Sequence, residues 1–131
     1  MRRLGKKRRG TVAVEMAVVS PVLFAILFGI IEFGWLFTVR HTLVNAAREG
    51  ARAGSLEGVD TAEITDLVND YLEPMGLNGR TTITITEATD DDPTVTVDLS
   101  IPQEEVSLVG NFFGFDMGTI RGVAAMRKEG M

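Results

Sequence analysis

Cysteine is absent from the sequence, and histidine and tryptophan each occur once among its 131 residues. Without cysteine the chain has no disulfide, no thiol nucleophile and no thiolate metal ligand. The sequence also lacks the short patterns of a phosphate-binding loop, a serine nucleophile elbow, a zinc-protease helix and a dinucleotide-binding turn. We therefore expect a protein that is not an enzyme, that holds no metal or other cofactor and that has no small-molecule substrate.

Acidic residues are missing from the first ten positions. These positions contain six of the 13 lysines and arginines, so the rest of the chain sets seven bases against all 18 acids. A basic cluster of this kind is compatible with binding to nucleic acid. Beside an acidic body and a long apolar segment it is better explained as a signal that orients the chain in a membrane. We expect no nucleic-acid partner.

Charged residues are also scarce in the segment that follows. No charge occurs from Met16 to Ile31, and Glu32 is the single charge from Met16 to Val39. About 20 apolar helical residues cross a hydrocarbon layer that is about 30 Å thick. The segment therefore predicts a transmembrane helix. The bases before it predict a cytoplasmic N-terminus and an exported C-terminal part.

Two other interpretations of the apolar segment are less favourable. A buried helix of a soluble protein is seldom apolar on all sides over this length. A cleaved secretory signal has an apolar region of about 7–15 residues with a small-residue cleavage site close behind it. Here the nearest such pattern, Ala51-Arg52-Ala53, lies more than ten residues beyond Val39. The sequence thus favours a helix that stays in the membrane.

Two glutamates interrupt the apolar character of this helix. At 3.6 residues per turn, Glu15 and Glu32 point about 100° apart and do not form one polar site. We interpret Glu32, together with Trp35, as the outer edge of the span, with the Glu32 carboxylate reaching water. Glu15 is either an interfacial acid that pairs with Arg8 or Arg9, or a functional acid within the span. The residues alone leave both interpretations open.

The N-terminal stretch carries a resemblance to a known family. A basic leader, a glycine, four small or apolar residues, a glutamate and a long apolar helix, as in "RRGTVAVEMAVVSPVLF", resemble type IV prepilins. The longer stretch "RRGTVAVEMAVVSPVLFAILFGIIEFGWLF" with "NAAREGARAGS" after it is similar to the TadE-like pseudopilins of the tight-adherence (Flp-type) pilus systems. Near the C-terminus "IRGVAAMRKE" is similar to the closing strand of that family.

This resemblance implies a function, a location and partners. It implies a minor pilin or pseudopilin in the inner (cytoplasmic) membrane, with other pilin subunits and a prepilin peptidase as partners. The peptidase would cut between Gly10 and Thr11, and Glu15 would then pair with the freed amine of a neighbouring subunit. Met16 stands where the major pilins usually have tyrosine, and the exported domain is larger than theirs, which argues against the main filament subunit. The alternative is a signal-anchored membrane protein with an uncut leader and an exported domain that binds a ligand or partner.

The resemblance and the composition together divide the chain into three parts. Residues 1–10 form a leader, residues 11–55 the transmembrane and extended helix, and residues 56–131 a small exported domain. In the extended helix Ala46, Gly50 and Gly54 recur every four residues and permit close packing of backbones. The stripe packs either against a neighbouring helix or against the protein's own sheet, and we favour the second.

The rest of the chain predicts one more helix and a sheet. The stretch "VDTAEITDLVNDYLEPMGL" predicts a helix that is capped by Asp60 or Thr61 and ended by Pro74. Its expected buried face is Ile64, Leu67, Val68, Tyr71 and Leu72. The alternating segments "RTTITITEA" and "PTVTVDLSIP" predict antiparallel strands, and "GTIRGVAAMRKE" predicts the last strand.

The predicted fold class is α+β and pilin-like. One long N-terminal transmembrane helix packs on a small three-stranded antiparallel sheet, with a short second helix. The segment "EEVSLVGNFFGFDMG" is either a short helix or a loop whose Phe112, Phe113 and Phe115 fill the core. The turn at Asp90–Asp92 is a weak candidate for calcium, because adjacent side chains diverge and no distal glutamate completes a known loop.

Overall fold

The computed structural model describes residues 6–114 and 118–130, with the backbone alone at residues 6–9, 112 and 113. The predicted α+β class is confirmed, because one long helix packs on a three-stranded antiparallel sheet beside a shorter helix. In chain order the elements are α1 Lys6–Gly54, α2 Thr61–Leu72, a 3₁₀ turn Glu73–Met75, β1 Thr82–Thr86, β2 Thr94–Pro102, α3 Gln103–Val106, α4 Gly110–Phe113 and β3 Thr119–Arg127.

The helix α1 has two halves in different surroundings. It runs without interruption over 49 residues and passes through Pro21. The helix is long and apolar enough to cross a membrane, because its most apolar stretch of 18 residues has a mean hydropathy of 2.4. None of this stretch is buried. Burial against the rest of the chain begins at Glu32 and continues to Gly54. Residues 10–31 form the free, apolar half of α1, and residues 32–54 form the half that packs in the folded domain.

The sheet has β2 in its centre, with β1 and β3 antiparallel on either side of it. Alternate side chains of β2 face α1 and are fully or almost fully buried, as the period of two predicts. These core residues are Val95, Val97, Leu99 and Ile101. In β1, Ile83 and Ile85 pack against the edge of the same core. The three predicted strands are therefore present, in the predicted antiparallel arrangement.

The helix α1 and the sheet approach each other closely at Gly122 in β3. A Cβ atom on Gly122 would lie 2.5 Å from the carbonyl carbon of Leu43 and 2.5 Å from the backbone nitrogen of Val44. Neither backbone atom can move without shifting the helix. Glycine at this position therefore permits α1 to lie directly on β3.

The helix α2 packs on α1 through a narrow face. Asp60 accepts a hydrogen bond from the backbone N–H of Glu63 at 2.8 Å and thus caps the helix, as predicted. The buried residues are Ile64, Val68 and Leu72. The prediction that Tyr71 is buried is wrong, because its side chain is 44% exposed. On α1, Gly50 lies against Val68 and Ile64, and Gly54 lies against Ile64, so the helices meet along this line and Tyr71 lies beside it.

The segment between β2 and β3 contains two single-turn helices, α3 and α4. Phe115 and the side chains of Phe112 and Phe113 lie outside the described residues, so their place in the core stays a prediction. The turn at residues 89–92 is closed by its own hydrogen bonds. The backbone N–H of Thr89 donates to the Asp92 carbonyl at 2.7 Å, and the Asp92 N–H donates to the Thr89 hydroxyl at 3.1 Å.

Candidate assembly surface on the long helix

The residues predicted for processing and assembly lie together on the free half of α1. Gly10, Thr11 and Glu15 are all exposed and lie within about two turns of each other. A Cβ atom on Gly10 would have no heavy atom within 4 Å. The bond between Gly10 and Thr11 lies inside the helical backbone, since α1 begins at Lys6. The surface around them is open and apolar.

Glu15 is an exposed acid among exposed apolar side chains. Its neighbours on the helix surface include Val12, Val14, Met16 and Val18, which are more than half exposed. Among the described side chains, no hydrogen bond or ion pair to the Glu15 carboxylate is present. The side chains of Arg8 and Arg9, the alternative partners of Glu15, lie outside the described residues. The described part of the chain therefore leaves this carboxylate without a partner.

Glu32, the second acid of the apolar segment, lies in a very different environment. Its side chain is only 7% exposed. One carboxylate oxygen accepts a hydrogen bond from the Ser107 hydroxyl at 2.5 Å, and the other accepts from the backbone N–H groups of Leu108 at 3.0 Å and Val109 at 2.9 Å. The interpretation that this carboxylate reaches water is wrong. The donors replace the water that a buried carboxylate loses.

Trp35 makes a second contact between α1 and the same segment. Its indole N–H donates to the Val106 carbonyl oxygen at 2.7 Å. Glu32 and Trp35 lie three residues apart, so both project from neighbouring positions on one side of the helix. Together they attach α1 to residues 106–109 at the point where the apolar half of the helix ends. The side chain interpreted as a marker of the membrane boundary is thus also bonded to the folded domain.

A periodic signal in the sequence could have identified Glu32 as a buried residue. Glu32, Leu36, Val39 and Leu43 are separated by four, three and four positions, which is the spacing of one helix face. The last three are buried against the sheet. The number of charges in the segment does not reveal this signal, and neither does the angle between Glu15 and Glu32. The donors at residues 107–109 had no comparable signal, because they lie 75–77 positions away in a segment of irregular pattern.

The small-residue stripe of α1 packs inside the chain. Ala46 is completely buried. A Cβ atom on Gly50 would lie 2.8 Å from Cγ2 of Val68 in α2. A Cβ atom on Gly54 would lie 2.8 Å from Cδ1 of Ile64 and 2.9 Å from Cγ1 of Val95 in β2. The close approach that the stripe permits is with the protein's own α2 and sheet, which leaves no room there for a neighbouring helix.

Arginine side chains near the stripe and on the sheet form exposed ion pairs. Arg52 pairs with Glu49 one turn away at 3.3 Å. Arg121 in β3 pairs with Asp98 in β2. The hydrogen bond that Arg121 donates to Asp98, and then the charge of Asp98, raise the pKa of Arg121 above its ordinary value. Such exposed pairs contribute little to stability.

Part of the chain matches the model of a known protein family. Residues 10–52 match the family model described as TadE-like protein. The matched region begins at Gly10 and contains Thr11, Glu15, Glu32 and Gly50. The resemblance is confirmed over this part of the chain, and it supports a pilin-like component associated with a Tad pilus. The match and the exposed apolar half of α1 together indicate a membrane anchor. No curated protein and no solved structure matches the chain.

Proposed function

We propose that the chain is a minor pilin or pseudopilin that takes part in assembly of a Flp-type (tight-adherence) pilus. In this proposal the free half of α1 lies in the inner membrane, the basic leader stays in the cytoplasm and residues 56–131 are exported. The match of residues 10–52 to the TadE-like family supports it. The apolar surface of α1, which nothing in the described part of the chain covers, supports the membrane location.

The contrast between two glutamates of one helix is the observation that carries the proposal. The Glu32 carboxylate is buried and receives three hydrogen bonds from the protein's own domain. The Glu15 carboxylate is exposed and has no partner within the described residues. An acid within a membrane span is costly unless it has a partner or a function. Since the described residues supply three hydrogen bonds to Glu32 and none to Glu15, we infer that the Glu15 partner belongs to another subunit.

The proposed partner of Glu15 is the N-terminal amine of a neighbouring pilin. A prepilin peptidase removes the leader between Gly10 and Thr11 and generates an ammonium group at the start of the apolar helix. An ammonium offers a carboxylate both a countercharge and charge-assisted hydrogen bonds, which are stronger in a lipid environment than in water. The freed amine and Glu15 can thus bring two helices into register.

One observation favours the alternative of an uncut, signal-anchored protein. The bond between Gly10 and Thr11 lies within a continuous helix that begins at Lys6. A peptidase needs this backbone unwound before it can bind the bond in an extended form. Glycine lowers the cost of unwinding, because it is about 1 kcal/mol less favourable than alanine in a helix. The two functions therefore differ in whether the leader is removed.

Processing is tested by the intact mass and N-terminal sequence of the full chain from membranes with and without the cognate prepilin peptidase. The informative variant is Gly10→Val, with Gly29→Val as its matched control. Gly29 is also a helical glycine whose added Cβ would meet no atom within 4 Å. We expect a mature chain that starts at Thr11 in wild type and in Gly29→Val, and an uncut chain in Gly10→Val. An uncut wild-type chain would support the alternative, and a start beyond Ala53 would contradict both functions.

A further inference from the structure

A cleft lies between α1 and the start of β3, at the end of the domain that is nearest to the apolar half of the helix. It has a volume of about 370 Å³. The side of α1 contributes Phe33, Leu36, Phe37 and Arg40, and the opposite side consists of Gln103, Thr119, Ile120 and Arg121. The cleft therefore combines exposed aromatic surface with cationic side chains.

The cleft begins in the headgroup layer of a bilayer and extends beyond it along α1. A span of about 20 residues that starts at Thr11 ends near Ile31. Phe33 and Phe37 follow this point by about 3 and 9 Å, at 1.5 Å per residue. The headgroup layer on each side of the hydrocarbon is roughly 5–8 Å thick. Arg40 follows Ile31 by about 14 Å. Its guanidinium reaches the headgroup layer because long helical side chains point back towards the N-terminus and thus towards the bilayer.

An apolar stripe on α1 leads from the span into the cleft. Ile26, Ile30, Phe33, Phe37 and Arg40 are separated by four, three, four and three positions and lie on one helix face. The first four are all exposed, with Phe33 at 64% and Phe37 at 62%. This face is continuous from apolar side chains within the hydrocarbon to a cation at the headgroup level. An anionic phospholipid that lies beside the helix matches this order, because its acyl chains are apolar and its phosphate carries a negative charge.

The two arginines of the cleft differ in their availability. Arg121 is already paired with Asp98. Arg40 is exposed, and no ion pair or hydrogen bond to its guanidinium is present in the described part of the chain. A planar guanidinium binds phosphate oxygens with two parallel hydrogen bonds. Arg40 is thus the cation that is free to take an anionic group at this level.

We propose that this cleft binds an anionic phospholipid of the surrounding leaflet, with the phosphate at Arg40, the glycerol region along Phe37 and Phe33, and an acyl chain along Ile30 and Ile26. Bound lipid fixes the height and rotation of α1 in the bilayer and covers the aromatic side chains that the domain leaves exposed. This inference rests on the membrane anchor in the proposed function. It does not depend on cleavage of the leader or on the role of Glu15.

The test is competitive lipid binding to the purified full chain in a mild detergent, followed by native mass spectrometry. Phosphatidylglycerol and phosphatidylcholine with identical acyl chains are added in equal amounts, so that only the headgroup differs. The variant is Arg40→Gln, which keeps a long polar side chain without the charge. Its matched control is Arg48→Gln, since Arg48 is an exposed arginine of the same helix two turns beyond the cleft.

We expect wild type and Arg48→Gln to retain phosphatidylglycerol in preference to phosphatidylcholine. Arg40→Gln should lower this preference about tenfold, which is the effect of losing one strong hydrogen-bonding charge. Phe37→Ala should lower the retention of both lipids, because it removes an apolar contact near the glycerol region that both lipids share. Equal preference in Arg40→Gln and Arg48→Gln would contradict the proposal. A dimer that is lost in Phe37→Ala would assign the cleft to a second copy of the chain and would also contradict it.

Extraction of membranes with alkaline carbonate separates this inference from the one on which it rests. A chain that remains in the membrane but shows no headgroup preference contradicts the lipid site and leaves the anchor intact. A chain that is released into the soluble fraction contradicts both.

Discussion

Glu32 and Ser107 lie 75 positions apart and are joined by a hydrogen bond between the carboxylate of the long helix and the hydroxyl of the segment before α4. The backbone N–H groups of the next two residues donate to the same carboxylate. This bond lies where the free half of α1 meets the domain. It therefore fixes the segment at residues 107–109 relative to α1 at the base of its apolar half.

The first prediction concerns Glu32→Gln. A glutamine has no charge and one acceptor oxygen in place of two, so the charge-assisted hydrogen bonds are lost and the Ser107 hydroxyl must accept from the amide instead of donating. We expect the free energy of unfolding of the full chain in detergent to fall by about 1.5–3 kcal/mol, the range for hydrogen bonds to charged groups. Chemical denaturation followed by the fluorescence of Trp35, the single tryptophan of the chain, measures it.

The matched control is Glu49→Gln. The Glu49 side chain is 44% exposed and pairs with an exposed arginine. Such pairs contribute at most about 0.5 kcal/mol, so this variant should unfold almost as wild type does. Equal stability of Glu32→Gln and Glu49→Gln would show that the buried carboxylate is not needed for the attachment.

The second prediction concerns Gly122→Ala. The added Cβ would lie 2.5 Å from backbone atoms of Leu43 and Val44, so that α1 and β3 must separate. Overpacking of this kind costs about 1–3 kcal/mol and occasionally more, and we expect the upper part of this range because the contact is with backbone. Gly34→Ala is the control, since its Cβ would meet nothing within 4 Å. It should be neutral or stabilising, as alanine favours helix. Thermal unfolding followed by circular dichroism compares the two, and a similar loss in both would contradict the close-approach argument.

Periodic patterns predicted most of the fold. The alternation of Val95, Val97, Leu99 and Ile101 with polar residues identified β2 and its buried face, because a half-buried strand has a period of two. The acid and proline at Asp60 and Pro74 marked the ends of α2, because capping and termination are local events. Information of this kind lies within a few residues of the element that it specifies.

Contacts between distant segments could not be predicted in the same way. The partners of Glu32 and Trp35 lie more than 70 positions away, in a segment whose pattern left a short helix and a loop both open. Hydropathy alone placed both side chains at a membrane surface. Tyr71 was assigned to a buried face by spacing, but the width of that face depends on the small residues of α1 against which it packs. Tertiary packing determines whether Glu32, Trp35 and Tyr71 are buried. In the sequence, only the helical spacing of Glu32 from Leu36 and Val39 indicated that Glu32 is buried.

The third prediction tests whether the small-residue stripe packs within the chain. Gly50→Ala places a methyl group 2.8 Å from Cγ2 of Val68 and should cost about 1–3 kcal/mol. Val68→Ala removes that methyl group, so the double variant should be more stable than the sum of the two losses by about 1 kcal/mol. Val106→Ala is the control second change. Val106 is a buried valine whose carbonyl oxygen accepts a hydrogen bond from Trp35, about four turns of α1 away from Gly50. The loss of stability in Val106→Ala should therefore add to the loss in Gly50→Ala. Additive losses in both pairs would mean that Gly50 does not contact α2.

The fourth prediction concerns the cap of α2. Asp60→Ala removes the acceptor of the Glu63 N–H and should lower the free energy of unfolding by about 1 kcal/mol. Asp60→Asn keeps an acceptor and should be close to wild type. Asp66→Ala, at an exposed position of the same helix, controls for loss of negative charge. A loss in Asp60→Asn equal to that in Asp60→Ala would assign the effect to charge and not to the cap.

The last prediction separates the two glutamates of α1 by their effects. Glu15→Gln should leave the free energy of unfolding within about 0.5 kcal/mol of wild type, as for other exposed substitutions, because the described part of the chain gives this carboxylate no partner. It should abolish the contact with a neighbouring subunit. Because the sequence has no cysteine, a single Val14→Cys change permits site-specific cross-linking in membranes that contain the peptidase and the other pilins. We expect cross-links to a pilin partner in Val14→Cys, their loss when Glu15→Gln is added, and partial recovery with Glu15→Asp, which retains the charge on a shorter side chain. Undiminished cross-linking in Glu15→Gln would reduce Glu15 to an interfacial acid, since its charge would then be irrelevant to the neighbour that lies beside it.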